Sequence, residues 1–181
     1  MAMMRLSSFL KRFRRDVRGV SAVEFALIAP VMLALYMGAA QMTAALNADR
    51  KVTGAANAVA DLIAQDDFVT NGELADIYSA GDAILFPNDP ADLALRITSI
   101  RMDADGEVFV DWSEGRGLSA RGPDEVPDLP DGLLAPMNSI IMVEAQYPFN
   151  GPLPKESGPL VTLGDTAYLR PRRSAWVRRQ G

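Results

Sequence analysis

Between Phe25 and Ala48 lie 24 consecutive residues without a charged side chain, FALIAPVMLALYMGAAQMTAALNA, and no other feature restricts the fold as much. As an α-helix this run spans roughly 36 Å at about 1.5 Å per residue, more than the ~30 Å hydrocarbon core of a bilayer. Its centre, Leu27 to Gly38, is continuously apolar. A helix on the surface of a soluble protein would show a polar stripe there. Two other readings compete. Core helices of soluble domains are usually shorter and do not start beside a cluster of arginines. A cleaved secretory signal shares the basic front, but its apolar region is typically ~7–15 residues and ends in a small-x-small site. Thr43-Ala44-Ala45 is a weak version of such a site.

Charge gives the run a direction. Residues 1–18 carry six basic side chains (Arg5, Lys11, Arg12, Arg14, Arg15, Arg18) against Asp16, which leaves 12 basic and 22 acidic residues for the rest of the chain. After the run only Arg50 and Lys51 follow closely, beside Asp49. Basic residues collect on the cytoplasmic side of a span, so the N-terminus is expected inside and residues 49–181 outside. Attraction to anionic headgroups accounts for the basic stub without nucleic acid as a partner.

The junction between stub and span is specific. Gly19 is followed by Val20-Ser21-Ala22-Val23-Glu24-Phe25. A glycine at the membrane edge, a carboxylate five residues on and then an aromatic is the pattern of type IV prepilin-like leaders, which are cut after the glycine. Glycine lets the backbone lie extended in a protease site. Glu24 needs an account, because a charge in a span costs about 2.5–3.5 kcal/mol at the centre and less near an end. Cutting at Gly19 would give Val20 a new α-ammonium one helical turn away, which Glu24 can neutralise. A glutamate in a first helical turn is also favoured by the macrodipole alone. Pro30 removes the backbone bond to Ala26 and is expected to bend the helix. Ala34/Gly38 and Ala40/Ala44/Ala48 fall four apart, a weak signal for close helix approach.

The string RRFRRDVRGVSAVEFALIAPVMLALYMGAAQM resembles the N-terminus of TadE-like proteins, pseudopilins of the tight-adherence (Flp) pilus system. The resemblance covers about residues 10–65 and resumes weakly at Thr166-Ala-Tyr-Leu-Arg-Pro-Arg-Arg. It implies a processed inner-membrane component supporting pilus assembly, cut between Gly19 and Val20 by a prepilin peptidase, with Glu24 and Phe25 in recognition and assembly. Implied partners are that peptidase, other pilus assembly proteins or pseudopilins, and the lipid bilayer. The related TadG-like branch often carries a larger exported domain, and the modest length here favours the TadE-like side. Cysteines are common in the exported part of such chains; this one has none, so no disulfide is inferred.

Beyond the membrane, Val52, Ala55, Ala56, Val59, Leu62 and Ile63 recur at helical spacing, so the helix is expected to reach about Gln65, with Gly54 as its weak point, and to cover a sheet. Thr70-x-x-Glu73 reads as a capping box opening a second helix over 71–84, ended by Pro87 and Pro90. Strands are expected at 93–100, 107–112, 139–147 and 160–169, with 103–106 as a hairpin turn. A calcium loop at 103–106 fits poorly, since it would put Arg101 and Trp112 at ligand positions. Residues 113–137 read as a long acidic loop, solvated or ordered by a partner. The expected fold is thus α+β: a basic leader (1–19), a transmembrane helix (20–48), a periplasmic domain with an antiparallel sheet (49–169) and a basic tail (170–181). That tail would meet an acidic partner, meet lipid headgroups or stay solvated.

The chain has no histidine and no cysteine, which removes the usual imidazole and thiolate catalytic and metal arrangements. It carries no phosphate loop. No catalysis, metal or cofactor is expected. Besides the processed pseudopilin, two readings remain open: an uncleaved single-span adaptor whose exported domain binds a cell-envelope partner, and a binding protein released by signal peptidase.

Overall fold

The computed structural model describes residues 18–151 and 158–180. Most of the basic leader lies outside them. The chain divides into two units, Met1–Thr43 and Ala44–Gly181. The first contributes the opening part of helix α1, Arg18–Ala64; the second holds its remainder and every other element. These are β1 (Phe68–Thr70), α2 (Asn71–Leu85), a 3-10 turn (Pro90–Asp92), β2 (Ala94–Met102), β3 (Val108–Arg116), β4 (Ser139–Phe149), β5 (Val161–Leu169) and β6 (Arg178–Gln180). The fold is α+β, with one long apolar N-terminal helix leading into a small domain built on an antiparallel sheet.

Four strands form that sheet in the order β3-β2-β4-β5, every pairing antiparallel. The β2–β3 hairpin closes through Gly106, whose φ of 88° suits glycine. Asp103 Oδ1 accepts from the amides of Asp105 (3.0 Å) and Glu107 (2.8 Å), so this carboxylate serves the turn. Side chains alternate across a strand. Ile141, Val143, Ala145, Tyr147 and Phe149 of β4 therefore join Leu95 and Ile97 of β2 in the main core, while Ile140 and Met142 face the other way with Ile100.

The main core is roofed by the C-terminal part of α1. Ala48, Val52, Ala55, Ala56, Val59, Ala60 and Ile63 are all buried in it, an apolar stripe at helical spacing. Four of these seven are alanines, which bring the helix backbone close to the sheet. Helix α2 adds Leu74, Ile77 and Leu85. Its start has the expected geometry: Thr70 Oγ1 accepts from the Glu73 amide and Glu73 Oε2 accepts from the Thr70 amide at 2.8 Å. The backbone bond from Thr70, then its hydroxyl, holds the Glu73 carboxyl below its ordinary value. A Thr70→Ala variant is expected to lose about 1 kcal/mol of domain stability, read as a lower denaturant midpoint.

Two expectations need correction. The residues from 113 on are not one solvated loop. Strand β3 continues to Arg116, and the following segment folds onto the outer sheet face, where Leu129, Leu133 and Leu134 pack on Ile100, Ile140 and Met142. The tight turn leaving β3 requires glycine at 115, since a Cβ there would sit 2.0 Å from the Leu118 carbonyl oxygen.

Residues 170–180 do not form a separate basic tail. The Arg172 amide donates to the Ala64 carbonyl (2.8 Å), satisfying an orphan acceptor at the end of α1. Ser139 Oγ donates to the Ala175 carbonyl (2.8 Å) and Trp112 Nε1 to that of Val177 (2.7 Å). Val177 is fully buried, and β6 pairs in parallel with β1. The arginines meet the domain's own polar groups: Arg172 pairs with Asp61, and Arg179 with Glu114 (2.9 Å) and Asn71.

Candidate membrane and assembly segment

The described part of α1 opens on the residues singled out in the sequence. From Gly19 to Thr43 every side chain is exposed except those of Ala29 and Gln41, which are half-buried. Phe25 is 72% and Tyr36 74% exposed, and Leu27, Val31, Leu33 and Leu35 are similarly open. The apolar groups surround the helix, so no polar face remains to meet water. A helix apolar on all sides belongs in a core or in lipid. No part of its most apolar window is buried in this chain, which removes the core-helix reading. Among the described residues it is the one helix long and apolar enough to cross a membrane, and it suits a single-pass anchor.

Gly19 and Val20 both lie within the helix, rather than in the extended form a protease site takes. Nothing in the packing requires glycine at 19: a Cβ there would meet no atom within 4 Å. Glu24 is exposed and makes no hydrogen bond or ion pair among the described residues. It stands one turn beyond Val20, on the same face, about 6 Å along the axis. Phe25 is its exposed neighbour. The helix passes through Pro30 and leaves the Ala26 carbonyl without its usual amide donor. Thr43 Oγ1 donates to the Ala39 carbonyl (2.9 Å), so that hydroxyl is satisfied within its own helix. Gly38 has open space around it, as a close helix contact would need.

One polar constellation in the domain escaped the sequence reading. Glu144, in the middle of β4, receives Arg96 through Nε and Nη2, both at 2.6 Å, and Arg121 Nη2 at 3.0 Å on both oxygens. Burial works against its ionisation, but the bonds from the two arginines outweigh it and hold the carboxyl below its ordinary value. This triad ties β2, β4 and the segment after β3 together. The available signal was a lone glutamate within the apolar string SIIMVEAQYPF.

Compared with known families, residues 19–61 match the model of the TadE-like protein family. The match begins at the glycine before the span and ends within α1. No curated protein and no solved structure matches the chain.

Proposed function

We propose that this protein is a TadE-like pseudopilin, a processed component of the inner membrane that supports assembly of the Flp (tight-adherence) pilus. The observation that carries the reading is a family match starting at Gly19, on a helix whose apolar surface is exposed all round and interrupted by Glu24. In this reading the basic leader stays in the cytoplasm, α1 spans the bilayer and the domain lies in the periplasm. A prepilin peptidase cuts between Gly19 and Val20. The first helical turn must unwind for that, and glycine eases it by about 1 kcal/mol relative to alanine. Absent any packing role, that is a reason for a glycine at this position. The new ammonium of Val20 is then neutralised by Glu24, within the chain or on a neighbouring assembly protein. The protein acts as a peptidase substrate and scaffold, with no catalysis or cofactor of its own.

The intact mass of the protein from bacterial membranes tests this. A mature chain starting at Val20 is expected. An intact start at Met1 or Ala2 would replace the reading with an uncleaved single-span adaptor, and a start near Leu46 with a secreted protein. Glu24→Ala is expected to leave the domain folded while lowering pilus assembly; undiminished assembly would remove Glu24 from its role.

A further inference from the structure

The domain packs against α1 without a spacer. Ala48, the last residue of the uncharged run, is already 1% exposed in the main core, and Ala45 packs against the same cluster. The unit Ala44–Gly181 therefore begins within the final turns of that run. At this level α2 ends. Lys51 Nζ donates to the Phe86 carbonyl, and a Cβ on Gly54 would lie 3.4 Å from Ile84 Cγ2. Lys51 is three residues past Ala48, about 4.5 Å along the helix. Phe86 caps α2 with its ring turned out: at 79% it is the most exposed large apolar side chain among the described residues. Pro87 beside it is exposed too.

A phenyl ring left in water costs free energy that burial elsewhere does not recover. Aromatic rings concentrate at the membrane–water boundary, and the polar layer on each side of the hydrocarbon is only several ångströms deep. Exposed Arg50, with Lys51 beside it, adds positive charge at the same level. Within the unit Ala44–Gly181 these features therefore gather at the level where the uncharged run ends. We infer that the Phe86–Pro87 turn is a second membrane contact, seated in the headgroup layer of the anionic leaflet from which α1 emerges, with Arg50 and Lys51 facing its phosphates. The domain is then held against the bilayer at two points, α1 and this turn. The inference rests on the reading of α1 as a membrane anchor.

The absence of native cysteine makes a direct test available. Full-length Phe86→Cys, Pro87→Cys, Leu33→Cys and Met137→Cys chains carry a polarity-sensitive fluorophore in vesicles of phosphatidylethanolamine and phosphatidylglycerol. Met137 is exposed, and its amide donates to Met102 at the far end of β2 from Ala94, so it serves as the aqueous reference. Labels at 86 and 87 are expected to emit to the blue of the label at 137 and to be quenched by lipid doxyl-labelled near the headgroup. The label at 33 should be quenched by deep doxyl lipid. Quenching at 33 with water-like emission at 86 and 87 overturns the turn contact and leaves the anchor standing. No quenching at 33 removes the anchor and this inference with it. Shielding of 86 from aqueous iodide without doxyl quenching would assign the turn to a protein partner and overturn the lipid contact.

Discussion

Removing residues 177–181 will destabilise the domain by roughly 3–6 kcal/mol, a large share of the ~5–15 kcal/mol that holds a domain of this kind together. Val177 is fully buried and contributes about 1.5–3 kcal/mol by leaving water. Its carbonyl accepts Trp112 Nε1 at 2.7 Å, and loss of that acceptor strands a half-buried indole N–H, at about 1–3 kcal/mol. The β1–β6 pairing and the Arg179–Glu114 bond go with it. Both tryptophans of the chain, Trp112 and Trp176, sit at this junction, so fluorescence during guanidinium unfolding of the full chain in detergent reports on it directly. Arg173→Ala is the control: Arg173 is exposed and makes no ion pair among the described residues, so its removal should shift stability by less than about 0.5 kcal/mol. Equal midpoints for the truncated and the intact protein would return this segment to a solvated tail.

That segment shows where sequence reading stops. The elements read in advance are local or periodic: the uncharged run of α1, the helical spacing from Val52 to Ile63, the Thr70–Glu73 box, and the four strand segments of the sheet. The C-terminal strap has neither property. Arg172 finds Asp61 and Arg179 finds Asn71 at separations of 111 and 108 residues, and nothing near either arginine announces the partner. A run of arginines reads as solvated charge until the fold supplies its acceptors. The segment after β3 failed for a related reason. Leu129, Leu133 and Leu134 follow no helix or strand period, and their burial depends on an outer sheet face that exists only once β2 and β4 have paired. The spacing of Gly19, Glu24 and Phe25 is visible in the sequence because all three lie on one helix, and their role in processing and assembly is part of the proposal. The closeness of the Phe86 turn to the end of the uncharged run is not visible there, since it depends on the bond from Lys51, 35 residues earlier.

Glu144→Ala is expected to cost about 2–4 kcal/mol, because it leaves two guanidinium groups side by side in a largely buried place without a counter-charge. The side chains of Arg96, Arg121 and Glu144 are 20%, 18% and 16% exposed, so solvent screens the triad only partly. Glu144→Gln keeps the shape and one acceptor and should lose less. The two variants separate packing from charge, and pH separates them further. The native carboxyl titrates below the usual value of 4.5, so the charged triad adds stability that is fully present above that value. As the pH falls below it and through the lower folded-state value, that contribution fades. The unfolding midpoints of wild type and Glu144→Gln should therefore lie apart at neutral pH and converge on acidification. With the carboxyl protonated, Arg121 loses its charged partner, and the segment carrying Leu129, Leu133 and Leu134 loses one of its ties to the sheet. A gap between the two midpoints that stays constant across this range would mean that Glu144 acts through shape and hydrogen bonding rather than through its charge.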